Sequence, residues 1–64
     1  MLITNLRLER LKKKKKQVEV ASLLGVSQSY YSMVESLQLA PGEDLKTRIE
    51  DYYQKPIETL LREV

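Results

Sequence analysis

Glycine and proline occur at only four positions in this chain, Gly25, Pro41, Gly42 and Pro56. They cut it into short segments, none of which shows the sustained alternation or β-branched enrichment that a sheet needs. The chain therefore reads as a string of short helices. At 64 residues there is room for one core, and residues 1–64 are expected to form one domain. The absence of cysteine and histidine removes disulfides, disfavours a structural zinc site, and takes away the usual nucleophile and base of hydrolytic chemistry. No apolar run reaches the ~18 residues of a membrane span, and Met1–Leu2–Ile3 is too short for a signal peptide. The expectation is an all-α, cytoplasmic binding domain that needs neither metal nor cofactor.

Five helical segments follow from the apolar spacing. The first runs from about Thr4 to Lys14, with Leu2 or Ile3, Leu6 and Arg10 on one stripe and Leu8 and Leu11 on another face. The second, from about Gln17 to Leu24, turns Val20, Ala21 and Leu24 inward and stops at Gly25, which suits a left-handed C-terminal position. Ser27 is a good N-cap for a third, from about Gln28 to Leu37. Its inward residues are Tyr31, Val34 and Glu35; Gln28, Ser29, Ser32 and Met33 face outward. A fourth begins near Glu43 and Asp44, whose charges suit a helix N-terminus, and carries Leu45, Ile49, Tyr52 and Tyr53 on its buried stripe. Pro56 suits the first turn of a fifth, with Ile57, Leu60, Leu61 and Val64 in register.

The most informative stretch is Gln17 to Glu35. Two short helices joined by Gly25–Val26–Ser27, a three-residue turn containing glycine, have the spacing of a helix-turn-helix. Ala21 is small enough for the helices to approach closely where they cross, and Gly25 tolerates positive φ at the turn. Val20, Leu24, Val26, Tyr31 and Val34 supply the apolar contacts that fix the angle. The charge is also uneven. Residues 1–16 carry seven basic side chains and one acidic; residues 17–64 carry four basic and eight acidic, or +6 against −4. That split points to a polyanionic partner on one face.

Across essentially its whole length the chain resembles the Cro/CI-type helix-turn-helix family of phage repressors, also called the XRE family. The core of the resemblance is QVEVASLLGVSQSYYSMVE, Gln17 to Glu35. It implies a five-helix, lambda-repressor-like fold, a buried ion pair between Arg10 and Glu35, and a phosphate contact at Gln17. The chain departs from the family pattern at Tyr31, which is bulkier than the usual valine or isoleucine, and at Lys14 and Lys15. After Glu35 it reads Ser36–Leu37–Gln38 instead of glycine and a basic residue. The cluster Lys12 to Lys16 is expected to replace that lost attraction.

Duplex DNA, in the form of a palindromic operator, is the expected partner. Gln28 offers an amide to adenine N6 and N7, Ser29 and Ser32 reach base edges, and Met33 meets a thymine methyl. Gln17, Ser27, Tyr30, Lys13, Lys14, Lys15 and Lys16 are expected to meet phosphates. Tyr53, Ile57, Leu61 and Val64 form an apolar group suited to a homodimer contact that would space two third helices about one DNA turn apart. Transcriptional repression in a bacterial, nucleoid-associated setting is what the resemblance implies. The rivals are a protein-interaction module on the same scaffold (an antirepressor or antitoxin), and a membrane-surface helix at residues 1–16. That segment has a narrow apolar face and no aromatic residue, so membrane binding is not expected. An enzyme fits least, since no nucleophile, base and orienting group come together.

Overall fold

The computed structural model describes residues 3–64, so Leu2, placed by periodicity on the first helical stripe, lies outside the described residues, as does Met1. The Thr4 side chain accepts a hydrogen bond from the Arg7 backbone N–H and starts α1 (Asn5–Lys12). Leu6 and Arg10 turn inward, while Ile3 and Leu11 remain exposed. Helix α1 ends two residues short of the Lys14 that periodicity suggested, because Lys14 takes a left-handed φ of 57° that no helix can continue through.

The Glu19 carboxylate reaches back to the Lys16 backbone N–H and opens α2 (Gln17–Leu24). Gly25 closes it at φ 74°, and the Val26 N–H returns to the Ala21 carbonyl. Ser27 then caps α3 (Gln28–Glu35), its hydroxyl oxygen accepting from the Tyr30 N–H. Helix α3 stops at Glu35, short of the expected Leu37, because Leu37 is left-handed at φ 64°. The 36–42 loop leads to α4 (Glu43–Tyr53), with Gly42 as its N-cap.

Helix α5 is a single turn, Ile57–Leu60. The sequence periodicity placed Val64 on this helix, and the structure corrects that. Asn5 donates its N–H to the Arg62 carbonyl and Val64 donates to that of Ile3, so the last residues lie extended against the start of α1. Those two backbone bonds replace the ones that a longer α5 would make.

Leu6, Val20, Ala21, Leu24, Tyr31, Val34, Leu45, Ile49, Tyr53 and Leu60 make the core, drawn from all five helices. Two tyrosines sit within it. Their hydroxyls hydrogen-bond to each other at 2.8 Å, so neither buried oxygen lacks a partner. The expectation of Tyr53 at a dimer contact is corrected as well: the residue is 4% exposed and its hydroxyl is bonded to Tyr31. A residue held inside its own core has no surface to offer a second chain.

Candidate nucleic-acid interface

The outward face of α3 is polar at its start and apolar further on. Gln28 and Ser29 are exposed, Ser32 is half-buried, and Met33 is 39% exposed. The left-handed Gly25 turns the chain between α2 and α3, so α3 leaves the turn with the Gln28 side chain in solvent. The Ser27 hydroxyl oxygen accepts from within its own helix, which leaves its proton directed elsewhere. Tyr30 is similar: its hydroxyl accepts the Gly42 N–H at 3.1 Å, tying α3 to the start of α4 and leaving the phenolic proton to donate. Arg48 donates to the Leu24 carbonyl at 2.9 Å and so ties α4 to the end of α2, beside Gly25.

The far end of α3 is held by charge. Arg10 grips the Glu35 carboxylate with two bonds, Nε to Oε2 at 2.9 Å and Nη2 to Oε1 at 3.0 Å. Both residues are buried. A bidentate pair of this kind is the strong form of a charge-assisted bond. Arg10 also donates to the Lys15 carbonyl at 2.8 Å, which fixes the α1–α2 loop. Gln17 joins them by donating one amide hydrogen to Glu35 Oε1 at 3.0 Å. Burial pushes the Glu35 carboxyl up, but the hydrogen bonds from Arg10 and Gln17 outweigh it and hold it below its ordinary value. The bond to Glu35 likewise raises the Arg10 guanidinium against the opposing effect of burial.

The start of α2 and the end of α3 border a concavity of about 470 Å³, lined by Arg7, Gln17, Ser32, Glu35, Ser36, Leu37 and Gln38. Lys16 and Lys14 are exposed near its α2 side in sequence, and Lys15 is half-buried. Lys13 is placed differently, with its ammonium 5.2 Å from the centre of the Tyr52 ring. Lys12 shares Glu9 with Lys55, at 3.1 and 2.9 Å. Hydrogen bonds from Lys55 and then Lys12 draw the Glu9 carboxyl below its ordinary value. Among the described residues no acidic group gathers in a way that would hold a metal ion.

Of the residues proposed for a dimer contact, Ile57 and Leu61 are half-buried and Val64 is 74% exposed. Sequence reasoning missed the part that two residues play in shaping this region. Thr4 is fully buried and donates to the backbone carbonyl of Glu35, and Arg48 braces the turn. A threonine ahead of an apolar run marks an N-cap, but nothing in the sequence marks its second bond.

Two helices bent at a left-handed glycine, the second presenting polar side chains to solvent, define a helix-turn-helix domain. A family model described as helix-turn-helix matches residues 6–60, and the chain belongs to this family, the Cro/CI-type or XRE group of DNA-binding transcription regulators. No curated protein and no solved structure matches the chain. The family is a regulatory one and not typically enzymatic. No helix among the described residues is long and apolar enough to cross a membrane.

Proposed function

We propose that this chain is a Cro-like or CI-like repressor of a phage or other mobile element, binding a palindromic operator as a homodimer. The observation that carries the reading is the exposed Gln28 amide at the head of α3, on a helix anchored at its far end by the buried Glu35. Helix α3 enters the major groove. Gln28 pairs with an adenine, Ser29 and Ser32 bond base edges, and Met33 packs on a thymine methyl. Ser27 and Tyr30 donate their remaining hydroxyl protons to phosphates. Gln17 has a second amide hydrogen beyond the one given to Glu35, and it adds the free N–H groups at the start of α2. Lys14, Lys15 and Lys16 supply sequence-independent attraction. Ile57, Leu61 and Val64, without Tyr53, form the dimer contact.

Selection of bound duplexes from a random pool tests this reading. The expected result is an enriched palindrome whose preferred bases change when Gln28→Ala or Met33→Ala is used. A pool that stays random refutes it. Sedimentation showing a monomer both free and on the palindrome refutes the dimer.

A protein-interaction role on the same scaffold has one observation in its favour. Leu37 and Leu39 are 38% and 43% exposed just beyond α3, in and beside the Ser36–Leu37–Gln38 stretch that stands where the family pattern has glycine and a basic residue. A stoichiometric protein partner in a pull-down, together with no duplex binding at ~100 mM salt, would decide for an antirepressor or antitoxin.

A further inference from the structure

We propose that Thr4 is a positioning residue for DNA reading: by fixing the Glu35 carbonyl it sets the orientation of α3, and with it the discrimination between base sequences. The proposal rests on the duplex-DNA reading above.

The last carbonyls of a helix have no partner within it. In α3 the chain that follows serves three of them. Ser36 donates to the Ser32 carbonyl, Leu37 to that of Val34, and Gln38 and Leu39 to that of Met33. The carbonyl of Glu35 is served from elsewhere: the Thr4 hydroxyl donates to it at 2.8 Å, inside the molecule. The same oxygen accepts the Arg7 N–H at 3.2 Å, so both hydrogen-bonding roles of this hydroxyl are filled. Thr4 is itself held on its other side, where its backbone lies against Glu63 and the neighbouring Asn5 N–H reaches the Arg62 carbonyl.

Glu35 is thereby held at backbone and side chain at once. Thr4 fixes the carbonyl from the N-cap of α1, Arg10 the carboxylate from the last turn of α1, and Gln17 the same carboxylate from the start of α2. The four proposed base-reading side chains all ride on this helix. Base contacts fail when side chains move by more than about 0.5 Å from productive geometry, whereas long lysines follow a displaced phosphate. Loosening the Thr4 anchor therefore degrades base discrimination and spares nonspecific attraction.

The test is Thr4→Val, which keeps the shape and removes the hydroxyl, beside Thr4→Ser, which keeps the hydroxyl. Affinity is measured in the cold for the duplex enriched by the parent and for a random-sequence duplex. Loss of folded molecules weakens both affinities equally and leaves their ratio unchanged. The expected result is a ratio about tenfold lower for Thr4→Val, the scale of one good base contact, with an unaltered salt slope and a ratio restored in Thr4→Ser. An unchanged ratio in Thr4→Val overturns the proposal. If Thr4→Val melts below the assay temperature, the comparison is repeated in trimethylamine N-oxide, which favours the compact state. A variant that stays unfolded there makes Thr4 a stability residue and also overturns the proposal. A parent that enriches no duplex overturns the DNA reading itself, which distinguishes the two failures.

Discussion

Glu35 shows how a single residue carries both stability and geometry. Its native carboxyl lies below the ordinary 4.5 because the bonds from Arg10 and Gln17 outweigh burial. A depressed native value means that the ionised form stabilises the fold above about 4.5, and that this contribution fades as pH falls through the native value. Glu35→Gln strands the buried Arg10 charge and should cost ~3–5 kcal/mol at neutral pH. Thermal melts of parent and variant should then converge in acid, as the parent loses the same charge. A gap of constant size down the acid limb would show that the pair does not titrate as described. The buried tyrosines offer a cleaner cycle. Removing one hydroxyl by Tyr31→Phe leaves the Tyr53 hydroxyl without its partner, a loss of about 1–3 kcal/mol. Tyr31→Phe with Tyr53→Phe should lose less than the two single changes together, by denaturant unfolding. Burial, foremost, raises both phenols, Tyr53 to about 12. The neutral pair therefore stabilises the fold below pH 10, and that support declines as pH rises from there.

At the scale of the elements, the turn between α2 and α3 depends on one backbone conformation. Gly25 holds φ 74°, and a Cβ added there would lie 3.2 Å from Arg48 Nη1, the atom that braces the Leu24 carbonyl. Gly25→Ala combines left-handed strain, about 1–2 kcal/mol, with displacement of that brace. Its melting temperature should fall by roughly 4–8 °C for each kcal/mol lost. Gly25→Asn should fall less, since asparagine tolerates the left-handed region. A Gly25→Ala protein melting with the parent would mean that the turn is not strained by a side chain. This turn, the Ser27 cap and the inward face of α3 were all legible in the sequence because each is a local signal within a few residues. The ends of α1 and α3 were not. Lys14 and Leu37 adopt positive φ without being glycine, which no local preference announces. Two other features were hidden because they depend on the far end of the chain: the place of Val64 beside Ile3, and the bond from Thr4 to a carbonyl 31 residues away. At the candidate interface, the outward residues of α3 could be read from periodicity. The engagement of Gln17 with Glu35, and the burial of Tyr53, needed the packed molecule.

Over the whole molecule, a run of five lysines looks uniform in the sequence and is not uniform in space. Lys12 is joined with Lys55 on Glu9, so part of its charge is neutralised within the chain. Lys13 lies over the Tyr52 ring, on α4, and is held there by attraction to the ring face. Among the described residues, Lys14, Lys15 and Lys16 have no side-chain partner, and the run leads directly into α2 at Gln17. The positive end of the chain therefore projects from the α1–α2 loop rather than from the whole stretch. Lys12, paired with a carboxylate, has little charge left to displace counterions from DNA, and Lys13 keeps its charge but is held on the Tyr52 ring of α4 rather than at the start of α2. Each phosphate neutralised on binding contributes about −0.9 to the slope of log affinity against log salt. Lys16→Ala should accordingly make the slope shallower by about that amount, on enriched and random duplexes alike. Lys12→Ala and Lys13→Ala should leave it near the parent value, with Lys13→Ala lowering the melting temperature slightly through the lost ring contact. Titrations over a range of salt concentrations read the slopes directly. Equal slope changes for Lys13→Ala and Lys16→Ala would mean that the whole run meets the phosphates and that the Tyr52 contact gives way when DNA binds.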